Sequence, residues 1–536
     1  MDRPPRLPLL PAPLPAALRT AACALLIAGA WAPLGALDQG EARHLLARTG
    51  FGGTPAEINA LLPLTREQAV DALIASTRTA ARTPPPEFCA QDDLPGYLHK
   101  VKDEYDAADR LGDKAEREKK KRELGDRKER WGRELKAWWM REMVTTDSPL
   151  TERMTLLWHN HFTSSMRTVD DPRLMYEQNV LLRRDALDNF ALMLRDINTD
   201  PAMFRYLDSD SNVAGRPNEN YAREVMELFT LGEGQKYTEM DIKEAARAFT
   251  GYKIDPSTGR AVMMEGPHDG GWKTILGHKG NYKGDDVIIW LLTSEEQVAI
   301  NIGRKFWREF VSDTLDDKEI YKLSGTFYRA KYDIRKLLRA TLLTKEFWDP
   351  ANRGTLFKSP VEYVVGAVRL LQLPVDDTYG LVQLADRLGQ SIMDPPNVKG
   401  WPGSTAWISS ESLLSRWEIA DTLLAGKIGQ GQDLGTMMGA GPLAMPAAGE
   451  ARPAGEAKDP AKDPAKKDAK DAKKDDAKPV LPLVAKAWIA EARAAGTSGI
   501  ELAASLLLPL PALDPLPKDF DQALRQILHD PSYNLR

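Results

Sequence analysis

The chain has 536 residues, 43% of them hydrophobic and 28% charged, with two cysteines, seven histidines and a formal net charge of −5. Two cysteines can neither staple a chain of this length nor build a cysteine-based zinc or iron–sulfur centre, so the fold must hold by packing. The acidic balance argues against nucleic-acid binding, which needs a concentrated positive surface.

Residues 1–36 open with Arg3, Arg6 and Arg19 and run through AACALLIAGAWAPLGA, an apolar stretch too short and too Pro-interrupted to span a bilayer. This is the pattern of a secretory signal peptide with cleavage after Ala36, and it predicts a periplasmic or secreted protein. No later segment is long and apolar enough to cross a membrane, so the mature chain is expected to have no transmembrane segment. Cys23 would leave with the signal, and Cys89 would remain as a lone thiol.

From 37 to 426 apolar residues recur at three- and four-residue intervals, which predicts an all-α, multi-helix main domain with a few short hairpins. Thr54, Pro55 and Glu57 read as N-cap, first-turn proline and capping-box acid. Lys100 to Lys136 is dense in charge and reads as a long solvated helix or helical hairpin. Further helices are expected over 135–166, 173–195, 218–231, 239–250, 294–312, 333–346, 359–372 and 409–425, and hairpin pieces near 252–264 and 272–277. Residues 427–479 lose aromatics and periodicity and enter an Ala-Lys-Asp-Pro repeat, which predicts a disordered linker. Helical patterning resumes at 480–508 and 518–529, so 480–536 are expected to be helices packing back on the main domain.

Four constellations could carry chemistry. In Trp158-His159-Asn160-His161-Phe162 two histidines one residue apart point about 200° apart on a helix. One metal gripped by both is therefore not expected, and His161 is either a core imidazole or a group that orients or activates water. Asp208, Asp210, Asn212 and Glu219 occupy the first, third, fifth and twelfth positions of a loop that partly matches a calcium-binding EF-hand. Val213 replaces the glycine that such a loop needs for its turn, so a set of oxygens that cap the next helix is the alternative. Asn220, Glu224 and Glu227 fall on one face of the helix over 218–231, as acid/base carboxylates or as ordinary ion-paired surface residues. The loop GQSIMDPPNVKGWPGSTAW presents Gln390, Asp394, Asn397, Lys399 and Trp401 to a ligand, or plugs the helical body with its tryptophans. His268 and Asp269 lie in a polar loop that could join this site.

The segments RHLLARTGFGGTPAEI, ERMTLLWHNHFTSS, PNENYAREVMELFTLGEG, KSPVEYVVGAVRLL and DPPNVKGWPGSTAWI occur in this order. Together with LRQILHDPSYNLR they resemble the bacterial family catalogued as domain of unknown function 1800, over about residues 40–425 and the final segment. The resemblance implies an exported, mostly helical protein, often encoded beside a second exported family that is the possible partner. It brings no activity and no cofactor. Ser391 stands where a proline is usual, and Ser404 where a second glycine is usual.

Two functions remain open. One is a hydrolase acting on envelope or extracellular polymer, with Glu224 or Glu227 as acid/base and His161 activating water. The other is a non-catalytic ligand-binding or assembly factor, with calcium at Asp208–Glu219 as a clip. Zincin, nucleophile-elbow and phosphate-loop motifs are missing from the sequence.

Overall fold

A computed structural model describes residues 35–374, 377–425 and 487–536. The predicted linker 427–479 and nearly all of the predicted signal segment, residues 1–34, lie outside the described residues. The protein is all-α: helices follow one another along the chain, and among the described residues the strands form two small antiparallel hairpins. These pair Tyr252–Ile254 with Ala261–Met263, and Lys273–Ile275 with His278–Gly280. No helix among the described residues is long and apolar enough to cross a membrane.

The local code for helix starts is used throughout. Thr54 accepts from the amide of Glu57, whose carboxylate accepts from Thr54 N, so both orphan donors of the first turn are satisfied. Asp38 with Glu41 and Ser359 with Glu362 repeat the device. The charged stretch forms a hairpin of Leu94–Asp109 with Lys114–Thr145. The second helix ends at Thr145 and a new one runs Pro149–His161, so the continuous helix expected over 135–166 is broken. Pro149 lacks an amide hydrogen and pushes Ser148 out of the helical region, which makes it a first-turn residue.

Helix ends depend on buried cations. Arg369 donates to the carbonyls of Val144 and Thr146, at 2.9 and 3.0 Å, and stops the long helix. Arg48 donates to the carbonyls of Phe310 and Val311, at 3.1 and 3.0 Å. Both sets are carbonyls for which no next turn exists, and a cation also suits the negative end of the helix dipole. The charge in the core is paired as tightly: Arg183 and Glu152, each 1% exposed, join at 2.7 Å, and Trp139 Nε1 donates to the same carboxylate.

The helices Ala487–Ala494, Thr497–Leu507 and Phe520–His529 pack on the body. Trp488 Nε1 donates to Leu370 O at 2.9 Å, and Trp417 Nε1 to His529 O at 2.8 Å. Residues 534–536 run antiparallel to 356–358, with Lys358 N donating to Asn534 O and Arg536 N to Leu356 O, both at 2.8 Å. This pairing carries Arg536 into the interior, where it is 7% exposed.

Candidate functional site

The helix Pro149–His161 supplies one wall of a cavity of about 500 Å³. Arg153, Leu156, Leu157 and Asn160 recur at three- and four-residue spacing and therefore share the face that lines it, with His161 at its edge. The opposite wall comes from Glu296–Phe306 and its π-helical continuation Trp307–Val311, which present Lys305, Arg308 and Glu309. Ser359, Glu362 and Arg536 close the floor, and Gln390, Lys399, Trp401 and Trp407 close the rim.

Asn160 fixes the rim loop. Its Oδ1 accepts from Trp401 N at 2.7 Å, and Thr163 Oγ1 donates to Val398 O. Gly400 has φ +81°, and a Cβ there would lie 2.6 Å from Asn160 O, so only glycine lets the two segments meet. Ser404 has φ +52°, a conformation that favours the glycine usual at this place. Gln390 Oε1 accepts from Val361 N at 2.9 Å and ties the loop to the helix Pro360–Leu370. Trp401 and Trp407 are buried, and only an edge of each can border the cavity.

The floor is an ion network. Arg153 pairs with both Glu309 and Glu362. Arg536 Nε lies 3.2 Å from Glu362, and its terminal nitrogen 3.5 Å from Glu309. Burial disfavours the charge of Glu362, but Arg153 and Arg536 outweigh it and hold its carboxyl below the usual range. Glu362 is thus an ionised acceptor, and both it and Glu309 already have arginine partners.

On the helical side, one row of donors meets one row of carbonyls. The helix Asn220–Glu224 continues as a π-helix, Val225–Thr230, and leaves its last carbonyls unpaired. Gln297, Asn301 and Lys305, four residues apart on one face, donate to Leu231 O, Thr230 O and Leu228 O at 3.2, 2.7 and 3.1 Å. His161 Nε2 takes the remaining carbonyl, Phe229 O, at 3.2 Å. The ring nitrogen facing a carbonyl must carry the hydrogen, so Nδ1 is the acceptor, and Lys305 Nζ donates to it at 2.8 Å. Burial and the nearby Lys305 keep His161 neutral, well below the usual histidine range. Burial and then Arg308 pull Lys305 down to about 8.

Five cationic side chains line the cavity: Arg153, Lys305, Arg308, Lys399 and Arg536. They face three acidic ones, Glu309, Asp313 and Glu362. Asp313 accepts from Ser404, and Lys399 pairs with Glu233 at 3.1 Å. Arg308 is exposed to the cavity and has neither a hydrogen bond nor an ion pair among the described residues.

Of the residues singled out in the sequence, His161, Gln390, Lys399 and Trp401 meet here. Asp394 lies on the far side of the loop, 2.6 Å from Lys136 and 2.8 Å from Ser165 Oγ. Asn397 accepts from Lys399 N within its own turn. Glu224 is half-buried but does not line the cavity, Glu227 pairs with Arg223 at 3.2 Å, and Asn220 is exposed. The shared face expected for these three assumed a regular α-helix; Asn220 and Glu224 lie in one, and the π-helical turn from Val225 shifts Glu227 relative to them. His268 accepts or donates only at Thr250, and Asp269 pairs with Arg247 at 2.7 Å, apart from the cavity.

In the loop that partly matches a calcium-binding EF-hand, the oxygens have protein partners. Asp210 pairs with Lys253 at 3.0 Å, Glu219 with Arg223 at 3.0 Å, and Asn212 Oδ1 accepts from Asn218 N at 2.9 Å. Asp208 takes a left-handed backbone conformation, with its carbonyl accepting from Asn218 Nδ2. Among the described residues no three His, Cys, Asp or Glu side chains converge as a metal-binding group.

Arg153, Asn160, Lys305, Arg308, Glu309, Glu362 and Arg536 carry the site and escaped the sequence reading. Arg153 and Asn160 were legible as the polar members of a helix face next to His161. Lys305 and Arg536 were not, because their partners are remote in the chain, 77 and 144 residues away for Lys305.

A family model described as "Protein of unknown function (DUF1800)" matches residues 44–534. The chain belongs to this family. Among curated proteins and among solved structures nothing matches it. The match runs from His44, within the helix Gln39–Thr49, to Asn534, so it includes both walls of the cavity and, of the floor, Ser359 and Glu362 but not Arg536.

The Glu224 carboxyl is pushed up to about 7, first by burial and then by Glu227. A carboxyl whose pKa is higher folded than unfolded costs nothing while protonated in both states. The cost grows as pH rises from about 4.5 and is complete above about 7. Glu224→Gln should match the parent in urea unfolding at pH 4 and exceed it by about 1 kcal/mol at pH 8, solvent screening having reduced the effect. Equal stability at both values would contradict the assignment.

Proposed function

We propose that the chain is an exported ligand-binding protein whose cavity takes an anionic, ring-bearing molecule: a carboxylate-bearing sugar unit of an envelope or extracellular polymer. The observation that carries this reading is Arg308, a cation without a partner in a cavity where the other charges are engaged. Guanidinium groups bind carboxylates through paired hydrogen bonds, and Trp401 and Trp407 give the rim an apolar border against which a ring can rest. The excess of cations in the cavity stands out against a net charge of −5 for the whole chain. Polymer hydrolysis is the weaker reading, because it needs a carboxyl free to give or take a proton. Glu309 and Glu362 are clamped by arginines, and Glu224 lies outside the cavity.

Calorimetric titration of the protein lacking residues 1–36 with an oligouronate and with its neutral counterpart tests the reading. The uronate should bind, more weakly as salt rises, and Arg308→Ala should lose about 10- to 100-fold in affinity. Equal binding of both saccharides, or of neither, would contradict it. Export rests on the arginine-led apolar stretch of residues 1–36. Fractionated cells should hold the full chain outside the cytoplasm and the chain without those residues inside it, and cytoplasmic retention of both would refute export.

A further inference from the structure

Lys305 does more than its neighbours in the donor row. Gln297 and Asn301 are amides that only cap carbonyls, whereas Lys305 brings an amine to the same place and also lines the cavity. An amine nitrogen has three positions beyond its carbon. Leu228 O at 3.1 Å and His161 Nδ1 at 2.8 Å are both acceptors and fill two of them. Because His161 Nε2 is committed to Phe229 O, Nδ1 cannot become a donor without breaking that bond. In the neutral amine both N–H groups are therefore used on fixed acceptors, and the lone pair occupies the third position. Burial and the adjacent Arg308 favour that neutral form.

We infer that Lys305 is a carbonyl-reactive amine, which condenses with an aldehyde or ketone group of a small anionic molecule in the cavity. The Nζ lone pair attacks the carbonyl carbon as the C=O π pair moves onto oxygen, and one of the two Nζ protons passes to that oxygen, giving a carbinolamine. Loss of that hydroxyl together with the remaining N–H proton releases water and leaves a C=N bond, with no oxidant or reductant involved. Arg308 at the mouth supplies the countercharge for the anionic part of the molecule, and His161 is a positioning residue that aims the amine.

Lys358 provides an internal comparison. It is also a buried amine, pulled down to about 7 by burial, but it donates to Tyr533 O at 2.6 Å and sits over the Tyr533 ring beside a space of only about 30 Å³. Basicity alone would make it the more reactive of the two, whereas access makes Lys305 the reactive one.

The inference rests on the anion-site reading only for the charge of the molecule, and two probes separate the failures. The protein lacking residues 1–36 is treated at pH 7.5 with limiting formaldehyde and cyanoborohydride, or with pyridoxal 5′-phosphate and borohydride, and modified lysines are located by peptide mass spectrometry. Lys305 should be modified on the order of 100-fold faster than exposed lysines such as Lys318 and Lys336, with a rate that rises through about pH 8. Lys358 should remain unmodified. Lys305→Arg keeps a cation and its donors and should abolish the fast site. Should that variant fail to fold, the map of the parent protein still decides. No preference for Lys305 with formaldehyde would overturn the inference. Preference with formaldehyde but none with the phosphate probe would leave the amine reactive and overturn the anion-site reading instead.

Discussion

A single guanidinium, that of Arg153, lies 3% exposed between the carboxylates of Glu309 and Glu362. Removing one member of such a set leaves a charge in a medium that cannot solvate it, at a cost of about 3–5 kcal/mol. The three residues come from three separate helical segments, so the pairing fixes their relative positions as well as their charge states. Arg536 joins the same two carboxylates from a fourth direction, held there by its pairing beside residues 356–358. The floor of the cavity is therefore a salt-bridged junction, and the junction exists only when distant parts of the chain are all in place.

The same logic governs the walls. A helix that ends inside a protein exposes carbonyls to a region without water, and each needs a donor. Here the donors are mostly long cationic or amide side chains: Arg369 and Arg48 at two helix ends, and Gln297, Asn301, Lys305 and His161 at a third. The π-helical turns at Trp307–Val311 and Val225–Thr230 lie at the second and third of these ends, where the helix widens before it stops. One consequence is functional. Of these donors Lys305 and His161 also face the cavity, so part of its polar lining follows from how a helix is terminated.

Much of the fold was legible from the sequence because helix starts and apolar periods are local. Thr54 with Glu57 reads as a capping box in the sequence and is one in the structure. The breaks were harder. The turn at Thr146–Ser148 was hidden by continuous apolar periodicity on either side of Pro149, and the π-helical turns have no distinct composition. The candidate site was partly legible: the WHNHF and KGWPG segments do meet, through Asn160 and Trp401. What decides its chemistry was not, since an arginine or lysine is an ordinary surface residue until a remote carboxylate or carbonyl buries it. Glu224 shows the opposite case, a conspicuous residue on a helix that turns its face away from the cavity.

The most direct test of this account is a double-mutant cycle on Arg153→Met and Glu362→Leu, followed by urea unfolding. If the buried junction holds the cavity floor, each single change should cost about 3–5 kcal/mol, and the double variant should recover much of the loss, because neither charge is left alone. Two small, additive losses would mean that the ion network does not hold the structure together, and the account would be wrong at its centre.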